Sequence, residues 1–319
     1  MTVTALDATK IEATKIEATK TRARSVRSGV PFNIAVASAA DSTRFVPLPE
    51  EAPSGRYGFL LDMDGVIYRG DEPIPGAAEF IASLHTQAIP FLFLTNNSAS
   101  TPLDYVVKLR KMGIEVGEEH FYTCAMATVD FLQLQKPGGT AFVIGEGGLI
   151  SALHQAGYGI TSHQPDYVIV GEGRTLNFEM AEKAMAMVLN GAHLIATNLD
   201  VSCPTASGSR PGCGALVALL EAATGRPAYS VGKPSPFMMR AARKRLGLRT
   251  ADTIMVGDTM ATDIRGAVEL GYQTVLVLTG STRREDLTRF PYQPTLVVES
   301  IAEVDASVFA AACSPIHLK

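Results

Sequence analysis

The residues best suited to chemistry in this sequence are two aspartates one residue apart, in the stretch GFLLDMDG at 58–65. Asp62 and Asp64 follow directly on a short apolar run, which is typical of a strand buried on both faces of a parallel sheet. In open α/β sheets, ligand-binding groups lie at the carboxyl ends of the strands. Polar residues at other strand ends are therefore candidates for the same site.

Three later segments place polar side chains at corresponding positions. The loop TNNS at 95–98 follows a second apolar run, and Asp258 follows a third. Asp263 lies at the start of a predicted helix, and Lys233 lies in GKP just before another. Each feature alone is also typical of a turn or a helix cap without chemistry. Their joint order predicts that four carboxylates, a lysine and several hydroxyl and amide groups meet at one sheet edge.

Four carboxylates are not stable side by side without compensation. Two like charges about 4 Å apart repel by about 4 kcal/mol at an effective dielectric of about 20. Either their pKa values rise or a cation binds between them. No His or Cys lies at these strand ends, and oxygen ligands favour a hard ion such as Mg²⁺ over zinc. Such an ion keeps positions open for phosphate oxygens, and Lys233 and Thr95 would complete the anion site.

The elements that must position these residues alternate between strand and helix. Strands are predicted at 58–62, 89–98, 252–258 and 272–280, and helices at 76–87, 101–113, 235–248 and 262–271. This alternation predicts an α/β fold with a parallel, doubly wound sheet and right-handed crossovers.

The middle of the chain repeats the pattern and predicts a second α/β unit. Its strand segments are 139–148, 165–173 and 192–200. Short connections on both sides favour an insertion, so the predicted boundaries are 55–137 and 228–312 for the core and 138–227 for an inserted cap. Residues 1–54 predict a disordered extension, because the five-residue repeat at 7–20 aligns no apolar face on a helix. A transit peptide is the alternative for this arginine-containing segment.

Composition argues against several classes of protein. The chain has 319 residues, 46% of them hydrophobic and 19% charged, with a net charge of −4. No general attraction to nucleic acid or to an anionic membrane is expected. No apolar run approaches the about 18 residues of a membrane span. Four cysteines without a CxxC pair favour a reducing cytoplasm.

Together, the motifs resemble those of the haloacid dehalogenase (HAD) superfamily of phosphohydrolases. The similarity is to its subfamily IIA, with a large α/β cap, typified by NagD and p-nitrophenylphosphatase-like enzymes. The motifs are DMDGVIYRG at 62–70, LTNNS at 94–98, GKP at 232–234 and GDTMATDI at 257–264. The resemblance spans roughly residues 57–300, and no catalytic position departs from the pattern.

The resemblance implies a Mg²⁺-dependent phosphatase that forms an aspartyl-phosphate. Asp62 would be the nucleophile, and Asp64 the general acid and then the general base. The Asp62 carboxylate, the main-chain carbonyl of Asp64 and Asp258 would bind the metal. Asp263 would lie behind them or contact the metal through a water, and it would pair with Lys233.

The resemblance also implies how substrate is held. Thr95, the backbone beside Asn96, and Lys233 would bind the phosphate. In the cap, the loop at 196–215 is where such enzymes choose substrates, so Asn198, Asp200 and Arg210 are candidates for contact with the leaving group. The prolines and glycines of this loop are also typical of an ordinary rigid loop.

The expected partner is a small phosphomonoester, such as a nucleoside monophosphate or a sugar phosphate, and a homodimer through the cap is compatible with the resemblance. A phosphotransferase or mutase on the same scaffold, and a phosphate-binding module without turnover, are the alternatives. The stretches GEGG at 145–148 and GEGR at 171–174 are interpreted as tight turns, since neither is a nucleotide-binding loop.

Overall fold

Strands and helices follow one another in the alternating order that the sequence predicts. The computed structural model describes residues 56–174, 176–205 and 208–312. The predicted extension over 1–54 lies outside the described residues. No helix within these ranges is long and apolar enough to cross a membrane.

The first elements in chain order are β1 (Gly58–Leu61), β2 (Tyr68–Arg69), β3 (Glu72–Pro73), α1 (Ala77–Thr86), β4 (Phe91–Thr95), α2 (Pro102–Lys111), β5 (Phe121–Thr123) and α3 (Cys124–Gln135). The middle elements are β6 (Thr140–Ile144), α4 (Gly147–Gln155), β7 (Gly159–Ile160), β8 (Tyr167–Val170), α5 (Phe178–Leu189), β9 (His193–Ala196), β10 (Ser202–Thr205), β11 (Gly208–Pro211), α6 (Cys213–Thr224) and β12 (Tyr229–Ser230). The last elements are α7 (Pro236–Arg245), β13 (Thr253–Gly257), α8 (Arg265–Glu269), β14 (Gln273–Val277), β15 (Leu296–Val298) and α9 (Ala306–Ala312).

The core sheet has six strands in the order β15-β14-β13-β1-β4-β5, and every neighbouring pair is parallel. The non-sequential order, with helical crossovers, confirms the predicted doubly wound α/β sheet. β1 lies between β13 and β4, with Leu61 opposite Val256 on one side and Phe93 on the other. The chain segments that follow β1, β13 and β4 therefore emerge side by side.

Strand β1 is buried on both faces, as its continuous apolar run predicts. Phe59 and Leu61 pack into a cluster that contains Phe80 of α1, whereas Leu60 points to the other face and packs into a cluster that contains Met239 of α7. This burial holds the carboxyl end of β1 rigidly, because side chains in a close-packed core have little room to shift.

The second sheet has five parallel strands in the order β12-β9-β8-β6-β7. Its β8 residues alternate between two apolar clusters: Ile169 packs with residues of α3 and α4, and Val168 with residues of α5 and α6. This is the second α/β unit expected in the middle of the chain. Strand β12 pairs with β9 at 229–230, beyond the predicted cap boundary at residue 227. The domain boundaries themselves stay a prediction.

The helix predicted at 262–271 is two elements. A π-helical turn, Met260–Ile264, precedes the short helix α8. The N–H of Ile264 donates to the carbonyl of Thr259, five residues back, at 3.3 Å. The wider turn adds one residue per turn, so Asp263 projects toward the sheet edge, a common use of π-turns at functional sites.

Candidate active site

Three buried carboxylates meet at the carboxyl edge of the core sheet. Asp62 follows β1, Asp258 follows β13, and Asp263 lies in the π-helical turn. One oxygen from each lies within 4.8 Å of the other two. The strand-end rule predicted that four carboxylates, Asp64 included, meet here, and the structure brings these three together. The parallel register of β1 and β13 places Asp62 beside Asp258.

Lys233 lies between two of these acids. Its Nζ is 2.7 Å from Asp62 Oδ1 and 2.8 Å from Asp263 Oδ1, and the residue is only 3% exposed. Burial alone would lower the pKa of Lys233, but the attraction of Asp263 and Asp62 outweighs it and raises that pKa above its ordinary value. Lys233 therefore stays charged and compensates part of the negative charge.

The remaining negative charge and the burial of the site raise the pKa values of the acids themselves. Burial, followed by the charge of Asp263, raises the pKa of Asp62 to about 7 despite Lys233. Burial, followed by the charge of Asp62, raises the pKa of Asp258 to about 6. Lys233 pairs with two of the three buried carboxylates, so the site lacks positive charge. A hard divalent cation fits this all-oxygen set because it would supply the missing charge.

Asp64 lies apart from the three converging carboxylates and is exposed to solvent. The Tyr68 hydroxyl donates to Asp64 Oδ2 at 3.3 Å, and partial desolvation raises the pKa of Asp64. The chain turns sharply at Gly65, whose φ is +84°, and a Cβ there would lie 2.7 Å from Asp258 Oδ2. Glycine is required at this position both by the left-handed backbone and by the close approach of Asp258.

The loop after β4 contributes in a way that the sequence did not predict. The Asn96 side chain clamps the main chain of Lys233: Oδ1 accepts from the Lys233 N–H at 2.8 Å, and Nδ2 donates to the Lys233 carbonyl at 3.0 Å. Thr95 is buried, and its Oγ1 accepts from the Asn97 N–H at 3.1 Å. Asn96 thus positions the lysine with its side chain. The predicted phosphate contact through its neighbouring backbone stays a prediction.

Asp258 is held by a loop that was not among the predicted site segments. The Ser281 N–H donates to Asp258 Oδ2 at 2.5 Å, and the Thr259 hydroxyl donates to Oδ1 at 2.9 Å. The strand-end rule could have identified Ser281, because this residue follows the carboxyl end of β14, as the predicted residues follow their own strands.

The predicted cap residues divide into two groups. Asn198 and Asp200 reach the core: Asn198 Nδ2 donates to the Asn96 carbonyl at 2.7 Å, and Asp200 Oδ2 accepts from Asn96 Nδ2 at 3.0 Å. Arg210 instead pairs with Glu172, with Nη2 2.8 Å from Oε2. Glu172 lies in the stretch GEGR, which the sequence analysis interpreted as a tight turn. Its position just after strand β8 could have identified it as a candidate site residue.

Comparisons with known proteins find phosphatases of similar sequence. A haloacid dehalogenase-like hydrolase model matches residues 59–159, and a second HAD-hydrolase-like model matches residues 230–304. A dihydroxyacetone phosphatase from Corynebacterium glutamicum is 44% identical over 77% of this chain and 90% of its own length. The ribonucleotide monophosphatase NagD of Escherichia coli is 42% identical over 77% of this chain and 97% of its own.

A solved structure shows the same fold. The p-nitrophenyl phosphatase from Archaeoglobus fulgidus superposes with a TM-score of 0.74 at 37% identity, covering 77% of this chain and 97% of its own. The matched part is nearly the whole of that protein. The predicted resemblance is confirmed.

Proposed function

Because the chain belongs to the haloacid dehalogenase-like hydrolase family and is a phosphoric monoester hydrolase of that type, we propose that it hydrolyses small phosphomonoesters with Mg²⁺. The proposed substrates are nucleoside monophosphates or sugar phosphates. The observation that carries the proposal is the cluster of three buried acids, Asp62, Asp258 and Asp263, in which Lys233 pairs with only two of them. Such a site suits a divalent ion and a phosphate group.

The first chemical step is a displacement at phosphorus. Asp62 attacks, so that a bond forms between its carboxylate oxygen and phosphorus while the bond to the leaving oxygen breaks. Asp64 donates its proton to that oxygen, which leaves as an alcohol. A raised pKa suits Asp64 for this role, because it favours the protonated form that donates to the leaving oxygen.

The second step returns the enzyme to its starting state. Asp64 accepts a proton from water, which attacks phosphorus and releases inorganic phosphate and free Asp62. Lys233 and Thr95 hold the phosphate oxygens during both steps. The metal would be held by Asp62, Asp258 and the main-chain carbonyl of Asp64, and when bound it would neutralise charge on the phosphate.

The alternatives are less well supported. A phosphotransferase or mutase must protect the acyl-phosphate from water, whereas Asp64 in this chain is exposed to solvent. A silent phosphate-binding module would not need both Asp62 and Asp64. A cytoplasmic location and a dimer formed through the cap stay predictions.

Replacement of the nucleophile tests the proposal. Asp62→Asn is expected to lower kcat for p-nitrophenyl phosphate by at least about a thousandfold, because an amide cannot attack phosphorus. Asp305→Asn, at an exposed position before α9, is the matched control and keeps wild-type turnover. Phosphate release at saturating Mg²⁺ gives both values. Wild-type turnover by Asp62→Asn refutes the nucleophile assignment.

A further inference from the structure

Glu172 is a buried carboxylate that the proposed reaction does not use. It is only 4% exposed and follows β8 of the cap sheet. Its main-chain N–H donates to Ser98 Oγ at 2.8 Å, and Ser98 lies in the core loop that begins with Thr95. Glu172 is therefore anchored where the cap sheet meets the phosphate-binding loop.

Both carboxylate oxygens of Glu172 are occupied by the hairpin β10–β11. Oε2 pairs with Arg210 Nη2 at 2.8 Å, and Oε1 accepts from Cys203 Sγ at 3.1 Å. The pair is largely shielded from water, with side-chain exposures of 27% for Arg210 and 5% for Glu172. Its charges therefore cancel locally, and Arg210 is unavailable to a second anionic group on a substrate.

The charged groups of the cap next to this pair are two further acids, Asp200 and Glu146, and the exposed Arg174, whose main-chain N–H donates to Glu146. Asp200 is bonded to Asn96, which itself clamps Lys233, so this carboxylate lies at the entrance to the proposed phosphate site. Glu146 lies within electrostatic reach of Arg210. We call Glu146, Glu172, Asp200 and Arg210 the cap lip; it sets three carboxylates against one guanidinium.

We propose that the cap lip selects phosphomonoesters whose leaving alcohol carries no negative charge, and that Glu172 determines this specificity by neutralising Arg210. The inference rests on the proposed phosphatase function. A neutral polyol, sugar or nucleoside can lie against the lip, whereas a carboxylate or second phosphate on the leaving group meets net negative charge in a partly desolvated setting.

A matched pair of substrates tests the proposal. Glycerol monophosphate and phosphoglycerate, each with phosphate on a terminal carbon, differ only in that a carboxylate replaces a hydroxymethyl group. Wild-type kcat/KM is expected to favour glycerol monophosphate by about tenfold or more, the scale of one partly screened like-charge contact. In Glu172→Gln, Arg210 is free to attract the carboxylate, so the preference should shift toward phosphoglycerate by about tenfold.

Two further variants test whether Arg210 causes the shift in substrate preference. Adding Arg210→Gln to Glu172→Gln should abolish the gain on phosphoglycerate, because the freed cation is gone. Glu179→Gln, which removes an exposed glutamate from α5 of the cap, should leave the preference unchanged. A gain that persists in the double variant overturns the role of Arg210.

The outcomes separate this inference from the function it rests on. No phosphate release from either compound or from p-nitrophenyl phosphate overturns the phosphatase proposal. Release with equal or greater kcat/KM for phosphoglycerate in the wild type overturns the specificity proposal and leaves the phosphatase intact. If Glu172→Gln fails to fold, the wild-type comparison of the two substrates still decides whether the enzyme prefers an uncharged leaving group.

Discussion

At the scale of single residues, the site depends on one lysine shared by two buried acids. Lys233 compensates Asp62 and Asp263, and Asn96 fixes the main chain of that lysine from both sides. Buried charges are tolerated only when they are paired and hydrogen-bonded. Removal of the lysine should therefore affect stability as well as activity.

Lys233→Met is expected to lower the free energy of unfolding by about 3–5 kcal/mol in Mg²⁺-free buffer, because it leaves two buried carboxylates without a counter-charge. It should also lower kcat/KM at least about a hundredfold, since the phosphate loses a positive partner. Urea denaturation and phosphate release measure the two effects.

The double variant Lys233→Met/Asp263→Asn separates the effect on stability from the effect on activity. It should recover most of the lost stability, because one of the unpaired charges is gone, but none of the activity. A Lys233→Met protein as stable as the wild type would contradict the pairing.

At the scale of elements, the site depends on how closely the π-helical turn approaches the end of β13. A Cβ built on Gly257 would lie 2.3 Å from Asp263 Cβ, closer than real contacts allow. The absence of a side chain at Gly257 lets Asp263 reach Lys233. The strand and the turn cannot both keep their positions if that space is filled.

Gly257→Ala is expected to lower the free energy of unfolding by about 1–3 kcal/mol through overpacking, and to lower kcat because Asp263 is displaced. Gly147→Ala is the matched control: its Cβ would meet nothing within 4 Å at the start of α4, so stability should be unchanged or slightly higher. Chemical denaturation of both variants gives the comparison. Equal stabilities would show that the turn can move away at no cost.

At the scale of the whole molecule, the excess of buried acid couples folding to protons and metal. Asp62 and Asp258 have pKa values of about 7 and about 6, above the 3.8 of an ordinary aspartate. At pH values between about 3.8 and about 7, Asp62 and Asp258 therefore hold more protons in the folded, metal-free protein than in the unfolded chain. The contribution of these two groups to the unfolding free energy is largest below the unfolded pKa and is lost as pH rises through 6 and 7.

Mg²⁺ should reverse that loss, because it binds the deprotonated carboxylates. In EDTA, Tm is expected to be lower at about pH 8 than at about pH 5.5, and excess Mg²⁺ should raise Tm more at the higher pH. Differential scanning calorimetry measures both shifts, and Asp258→Asn should reduce the Mg²⁺ effect. An equal rise in Tm with Mg²⁺ at both pH values would contradict the proposed coupling between deprotonation of the acids and metal binding.

The sequence by itself determined the α/β class and most strands and helices around the site, but not the π-helical turn that carries Asp263. Asp62, Asp258 and Thr95 could be found because each ends or follows a buried apolar strand, and the carboxyl ends of parallel strands share one edge. Only the tertiary structure decided the pairing of Arg210 with Glu172, the clamp of Asn96 on Lys233 and the joining of β12 to the cap sheet. Partners in these contacts lie tens of residues or more apart, and their local patterns are ordinary turns and loops. Such contacts depend on how the two sheets pack together, which strand and helix periodicity does not encode.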